Sequence, residues 1–186
     1  MKQLAIFDLD GTLFDTTRVN FLAYQQVLAP RGYYPEFDFF RRECFGHDYG
    51  YFGPLLAPGA SPEELREIHR EKKACYASYL KYAVKNEHLF RLIHLMRSEY
   101  HTALVTAGSR ANSTDILTRF GEQDSFDLYL TAENVTKAKP DPQGFLKAME
   151  YFNVTPEQTI VFEDSPTGIK AAQASGATLF VVEGFN

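Results

Sequence analysis

The sequence predicts an α/β fold: a doubly wound parallel sheet, interrupted after its first strand by an all-α-helical insertion. Three observations predict it. Short apolar runs of strand length alternate with helical patterns over residues 100–186. A run of the same kind, Leu4-Ala5-Ile6-Phe7, opens the chain and stops at Asp8. Between them, residues 16–85 carry helical spacing and no comparable strand run. The expected division is therefore a sheet domain from 1–15 and 86–186, and a helical insertion from 16–85.

Taken in order, Leu4-Ala5-Ile6-Phe7 reads as a buried strand feeding a loop, in which Gly11 lets the backbone turn sharply. Phe21, Tyr24 and Leu28 keep helical spacing until Pro30-Arg31-Gly32 ends it. Residues 33–52 are rich in aromatics, and Tyr33, Tyr34, Phe37, Phe39 and Phe40 are expected in the core of the insertion. Ser61-Pro62-Glu63-Glu64 opens a second helix, whose apolar side continues through Leu65, Ile68, Cys75, Tyr79 and Leu80. Thr102-Ala103-Leu104-Val105 is the next strand, ending at Thr106 with Gly108 beyond. Residues 111–120 form a helix stopped by Gly121, and Leu128-Tyr129-Leu130 a third strand. Thr155-Pro156-Glu157-Gln158 has the signals of a helix start: an N-cap, a proline at the first position and a capping-box glutamine. Thr159-Ile160-Val161-Phe162 is a fourth strand, ending at Glu163-Asp164. Ser165-Pro166 opens a helix that passes Ala171-Ala172 and stops at Gly176, and residues 178–182 make the fifth strand.

Composition narrows the function classes. The 186 residues carry a formal net charge of −5, with Arg41-Arg42 and Lys72-Lys73 as the basic pairs. No lysine/arginine stripe is present to displace counterions from a nucleic-acid polymer, so none is expected as a partner. Arg41-Arg42 reads as a solvated face. Cys44 and Cys75 do not make a disulfide framework and read as reduced thiols. The apolar run after Met1-Lys2-Gln3 is too short for a signal-peptide core, and no stretch approaches the roughly 20 apolar residues that cross a bilayer. A cytoplasmic protein without a membrane partner is expected, with a monomer favoured. There are no internal repeats and no low-complexity segment.

Ligands of such sheets sit beyond the carboxyl ends of the strands. Asp8, Thr106 and Asp164 all fall there. Asp8 and Asp10, one residue apart, point the same way in extended or loop backbone. Two such carboxylates need a cation or a shared proton, and Glu163-Asp164 adds further acid. This donor set suits Mg²⁺, a hard ion that takes oxygen ligands and keeps water for a substrate phosphate. Lys139 offers a second positive charge, and the Thr106 hydroxyl and the backbone N–H groups near Ala107 can donate to phosphoryl oxygens. The set resembles phosphoryl-transfer sites, where positioning and charge neutralisation carry the catalysis. A carboxylate nucleophile would split hydrolysis into two steps through an aspartyl phosphate, with Asp10 as general acid and then base.

These residues resemble the haloacid dehalogenase (HAD) superfamily of phosphohydrolases, in the branch with a helical cap after the first strand. Asp8-Leu9-Asp10-Gly11-Thr12 looks like its first motif, Leu104-Val105-Thr106-Ala107-Gly108 its second, Lys139 within Lys137-Ala138-Lys139-Pro140-Asp141-Pro142 its third, and Glu163-Asp164-Ser165-Pro166-Thr167-Gly168 its fourth. The resemblance implies a Rossmann-like core. It implies Asp8 as nucleophile and Mg²⁺ ligand, and Asp10 as general acid/base and ligand through its carbonyl. Asp164 would be the third ligand, with Glu163 nearby or joining the metal through water, and Thr106, the Ala107 backbone and Lys139 would hold phosphate. Asp10 argues against dehalogenation, because dehalogenases of the superfamily usually lack that aspartate.

The nearest branch resembles beta-phosphoglucomutase, phosphoglycolate phosphatase and their phosphatase relatives. Lys72 stands where the mutase carries a cap lysine. Asn20 replaces a cap histidine, and Tyr49, three residues after Gly46, replaces an arginine. Those losses weaken the grip on a second phosphate and favour a hydrolase. Thr16, Asn20, His47 and Lys72 are the candidate cap contacts to a small phosphorylated metabolite. Where relatives carry Pro-Gly before the helix leading to the second motif, this chain has Asn86-Glu87-His88. The chain also stops soon after the fifth strand, so a short sheet is expected at that edge. His69, His88, His94 and His101 lack metal-ligand spacing and read as surface or half-buried residues. Two other function classes stay open: a mutase-type phosphotransferase using the same aspartyl phosphate, and a non-enzymatic phospho-acceptor module. The module is disfavoured by an acceptor on the first strand and by the long insertion.

Overall fold

A computed structural model describes residues 2–184. In chain order its regular elements are β1 (Gln3–Phe7), β2 (Phe14–Asp15), α1 (Thr17–Leu28), α2 (Phe37–Glu43), α3 (Tyr49–Leu56), α4 (Pro62–Cys75), β3 (Val84–Lys85), α5 (Glu87–Met96), β4 (Tyr100–Val105), α6 (Arg110–Phe120), β5 (Leu128–Leu130), α7 (Gln143–Phe152), β6 (Thr159–Glu163), α8 (Pro166–Ser175) and β7 (Thr178–Val181). The chain divides into two compact units, Thr16–Ala83 and the flanking segments up to Asp15 and from Val84. Val84 and Lys85, expected in the insertion, belong instead to the sheet unit. They pair antiparallel with β2, Phe14 opposite Lys85 and Asp15 opposite Val84. Two residues per strand carry no readable period, so the sequence hides this ribbon.

The sheet unit holds five parallel strands in the order β5-β4-β1-β6-β7. β1 is central, and Leu4, Ala5, Ile6 and Phe7 are all buried, which explains an unbroken apolar run rather than an alternating one. One face packs Leu4, Ile6, Ala103, Val105 and Val161 against Phe145 and Met149 of α7 and Ala171 of α8. On the neighbouring strands Phe7 stacks on Phe162 with ring centroids 4.6 Å apart, and Phe162 on Phe180 at 5.4 Å. From β1 the chain first builds β4 and β5 to one side, then crosses to β6 and β7 on the other. The order therefore reverses beside β1, which opens a crevice at its carboxyl end.

The other unit is helical. Tyr24, Phe40, Phe52, Leu56 and Ile68 form its core, with Tyr33 and Phe39 packed against it. Tyr34 and Phe37 are corrections: they are 73 % and 37 % exposed and lie outside that core. Arg41 and Arg42 are solvated as expected, their side chains 66 % and 70 % exposed. Two helix expectations also change. The Thr155 signals are real, the Thr155 N–H donating to Gln158 Oε1 at 3.0 Å, but they cap a single 3-10 turn, Pro156–Gln158. The apolar run beginning at Thr159 pairs as β6 and leaves no room for more. The helix from Pro62 ends at Cys75, and Tyr79 and Leu80 lie in the 3-10 stretch Tyr76–Tyr82. The Phe145, Ala148, Met149 and Phe152 spacing marks α7, which the sequence reading overlooked. Among the described residues no helix is long and apolar enough to cross a membrane.

Candidate active site

Asp8, Thr106 and Asp164 each follow the last residue of a strand, β1, β4 and β6. Lys139 arrives from the loop before α7 and ties these ends together. Its Nζ donates to Asp8 Oδ1 at 2.6 Å, to Glu163 Oε1 at 2.5 Å and to the Val105 carbonyl at 3.1 Å. Glu163 is wholly buried. Its Oε2 accepts from the N–H groups of Asp164 (2.8 Å) and Ser165 (2.9 Å) and from Ser165 Oγ (3.1 Å). The carboxylate thus holds Lys139 on one oxygen and the turn into α8 on the other.

The loop after β1 is shaped against the β6 end. Gly11 has φ of +89°, and a Cβ there would sit 2.6 Å from Asp164 Cγ. Glycine is required twice, for the left-handed backbone and for the close approach. Thr12, fully buried, donates from Oγ1 to Asp164 Oδ1 at 2.7 Å. Asp10 lies over the second motif: its Oδ2 is 3.6 Å from where a Gly108 Cβ would stand. Thr106 Oγ1 accepts from the Gly108 N–H at 2.9 Å, which leaves its own proton to donate elsewhere. Ala107, between them, is exposed.

Burial pushes the Asp8 carboxyl well above the usual range. Lys139 pulls it down, while Glu163 and Asp164 push it up further. Asp164 is raised to about 7, by burial first and by Glu163 and Asp10, against the Thr12 hydrogen bond. Burial would lower Lys139, but the charges of Asp8 and Glu163 outweigh it and raise the ammonium above its ordinary value. Asp8, Glu163 and Asp164 each present an oxygen, all within 4.8 Å of one another. Three carboxylates facing one lysine lack positive charge, and an all-oxygen donor set fits a hard divalent ion.

In the helical unit, Asn20 Nδ2 donates to Thr16 Oγ1 at 3.0 Å, and Lys72 Nζ donates to Asn20 Oδ1. The Lys72 ammonium lies over the rings of Tyr76 (4.8 Å) and Tyr24 (5.2 Å). Three of the four candidate cap residues are therefore one linked set. His47 packs on the Tyr51 ring instead, at 5.2 Å. His69 is half-buried in this unit, as expected, bonded to Tyr24 Oη at 2.9 Å and stacked on Tyr49 at 4.2 Å. The sequence reading gave Thr12 and Gly168 no role. Their signals were a buried-loop hydroxyl inside the first motif and the glycine of E-D-S-x-x-G.

Residues 5–182 match the haloacid dehalogenase-like hydrolase family. The chain belongs to this family. A phosphorylated carbohydrates phosphatase from Thermotoga maritima is 30 % identical over 180 residues, spanning 94 % of this chain and 82 % of its own. Validoxylamine A 7'-phosphate phosphatase from Streptomyces hygroscopicus subsp. limoneus is 32 % identical over 179 residues, spanning 95 % and 83 %. The crystal structure of CbbY from Rhodobacter sphaeroides in complex with xylulose-(1,5)bisphosphate shares the fold, with a TM-score of 0.85 at 23 % identity over 100 % of this chain and 88 % of that one. This haloacid dehalogenase-like hydrolase is thus an enzyme homologous to characterised phosphatases.

Proposed function

We propose that the protein is a Mg²⁺-dependent phosphatase that hydrolyses a small-metabolite phosphate monoester, a sugar phosphate in particular, through an aspartyl phosphate on Asp8. One observation carries the reading: the Lys139 ammonium is held between the buried carboxylates of Asp8 and Glu163, within the acidic group that Asp164 completes. Names of relatives that act on phosphorylated carbohydrates support the substrate class.

Asp8 and Asp164, with the Asp10 carbonyl, would hold the ion, while Glu163 orients Lys139 and the 164–165 turn. When bound, Mg²⁺ supplies positive charge against the phosphoryl oxygens and the carboxylates. The Thr106 hydroxyl, the Ala107 N–H and Lys139 bind and orient the phosphoryl group. An Asp8 oxygen attacks phosphorus as the bond to the leaving alkoxide breaks, and Asp10 donates the proton that neutralises the alkoxide. Asp10 then takes a proton from water as that water attacks phosphorus. The bond to Asp8 breaks, and inorganic phosphate is released. The helical insertion, proposed as the cap, is assigned leaving-group recognition through Thr16, Asn20, His47 and Lys72.

Hydrolysis is favoured over transfer because the two positions that would steady a second phosphate hold Asn20 and Tyr49. Asn20 is engaged by Lys72, and the Tyr49 hydroxyl donates to the Leu65 carbonyl at 2.8 Å. Turnover of a panel of sugar phosphates in ¹⁸O-water tests this reading. Mg²⁺-dependent phosphate release with solvent oxygen incorporated, abolished in Asp8→Asn, is expected. Undiminished activity in Asp8→Asn overturns the mechanism, and isomer interconversion without phosphate release overturns the hydrolase.

A further inference from the structure

Asn86 follows β3, the strand by which the chain returns from the helical insertion, and caps α5. It is 5 % exposed and spends every polar group. Its N–H donates to the Leu13 carbonyl at 2.9 Å, and its carbonyl accepts from the Phe90 N–H at 3.1 Å. Its Oδ1 accepts from the Leu89 N–H at 3.2 Å, capping α5. Its Nδ2 donates to the Thr12 carbonyl at 3.2 Å, across 74 residues. Lys85, the residue before it, is pinned to Glu122 at 2.6 Å.

Thr12 is the next link. Held from below by Asn86 through its carbonyl, it donates its hydroxyl to Asp164 Oδ1. Gly11, beside it, lies directly under the Asp164 carboxylate. The structure assigns Asn86 as a positioning residue that sets the Asp164 carboxylate through Thr12, so that the residue between β3 and α5 tunes the divalent-ion site. A cap needs only an acceptor, which Ser and Asp also supply. The amide is the side chain that caps α5 with its oxygen and still donates to a carbonyl with its nitrogen. The assignment rests on the reading of Asp164 as an ion ligand.

The test is calorimetric Mg²⁺ binding, without substrate, to the wild type, Asn86→Asp, Asn86→Ser, Thr12→Val, the Asn86→Asp/Thr12→Val double variant and Asp164→Asn. Both variants at 86 keep the cap acceptor and lose the amide N–H that reaches the Thr12 carbonyl. Each is expected to weaken Mg²⁺ binding about tenfold, the low end for groups that orient a ligand. The double variant should bind no more weakly than Thr12→Val alone, because both changes cut one chain. Binding within twofold of wild type in Asn86→Asp and Asn86→Ser, with binding lost in Asp164→Asn, overturns the Asn86 assignment alone. Undiminished binding in Asp164→Asn overturns the ligand reading and the assignment with it. If the variants at 86 fail to fold, the intact protein decides by NMR. Mg²⁺ should move the Asn86 side-chain amide resonances in the wild type and not in Thr12→Val, and unmoved resonances in the wild type overturn the assignment.

Discussion

The Glu163 carboxylate fills the space that a side chain at position 168 would need: a Cβ built on Gly168 overlaps the carboxylate outright. The first turn of α8 is therefore notched, so that a buried acid can accept from the 164 and 165 N–H groups and still reach Lys139. Gly168 itself has ordinary helical backbone. The requirement is space, not φ.

Gly168→Ala should therefore act on catalysis at a distance from any substrate. The methyl group forces Glu163 away, and Lys139 loses one of its two carboxylate partners. Denaturant midpoints should report a destabilisation of about 2–3 kcal/mol, and phosphatase activity should fall by about two orders of magnitude. An unchanged activity would separate Glu163 from the chemistry.

Lys139→Met leaves Asp8 and Glu163 facing each other in a buried site without the ammonium between them. Removing one partner of such a group costs about 3–5 kcal/mol at neutral pH. The cost should shrink at acid pH, because burial already favours protonated Asp8. Urea melts of the metal-free variant at two pH values measure this, and turnover should drop at least about a thousandfold.

Metal and pH should be linked in a fixed direction. Asp164 is raised to about 7 in the folded protein, against about 3.9 in an unfolded chain. Between those values the native state holds a proton that the unfolded state has released. Metal-free stability therefore falls as pH rises through the window, by at most about 1.4 kcal/mol per unit. Mg²⁺ held by Asp164, as proposed, would displace that proton and relieve the penalty. The rise in melting temperature on adding Mg²⁺ should be larger at about pH 8 than at about pH 5.

The helical unit should show the opposite slope. Burial, with Lys73 and Lys72 nearby, lowers the His69 pKa to about 3, against about 6.5 unfolded. Below about 6.5 the unfolded chain takes up a proton that the native ring refuses, so stability is full above that pH and falls as pH drops toward 3. His69→Asn keeps an acceptor for the Tyr24 hydroxyl and cannot titrate. Its thermal midpoint should be flatter than wild type between about pH 7 and pH 4.5.

Much of the sheet was legible because buried parallel strands leave an unmixed signal. Leu128–Leu130 was read to the residue, and the Gly121 and Gly176 stops appear as left-handed helix ends. Local chemistry at the helix starts was equally plain at Ser61 and Ser165, each of which caps its helix. At Thr155 the same chemistry misled, because a cap reports only the first turn and strand pairing decides the length beyond it. Tyr34 misled for a related reason: an aromatic side chain marks a preference for burial, not a place in the core.

By itself the sequence determined which side chains stand at the strand ends, because a carboxylate, a hydroxyl or a lysine placed just past an apolar run is a local fact. It could not say how those ends divide the work. Lys139 between Asp8 and Glu163, Thr12 on Asp164, Asn86 on Thr12 and the hollow at Gly168 join residues as far as 152 positions apart. Such pairings depend on where separate strands and loops stop in space, and distance through space leaves no period along the chain. Local preferences wrote the elements; close packing of the loops between them decided the electrostatics of the site.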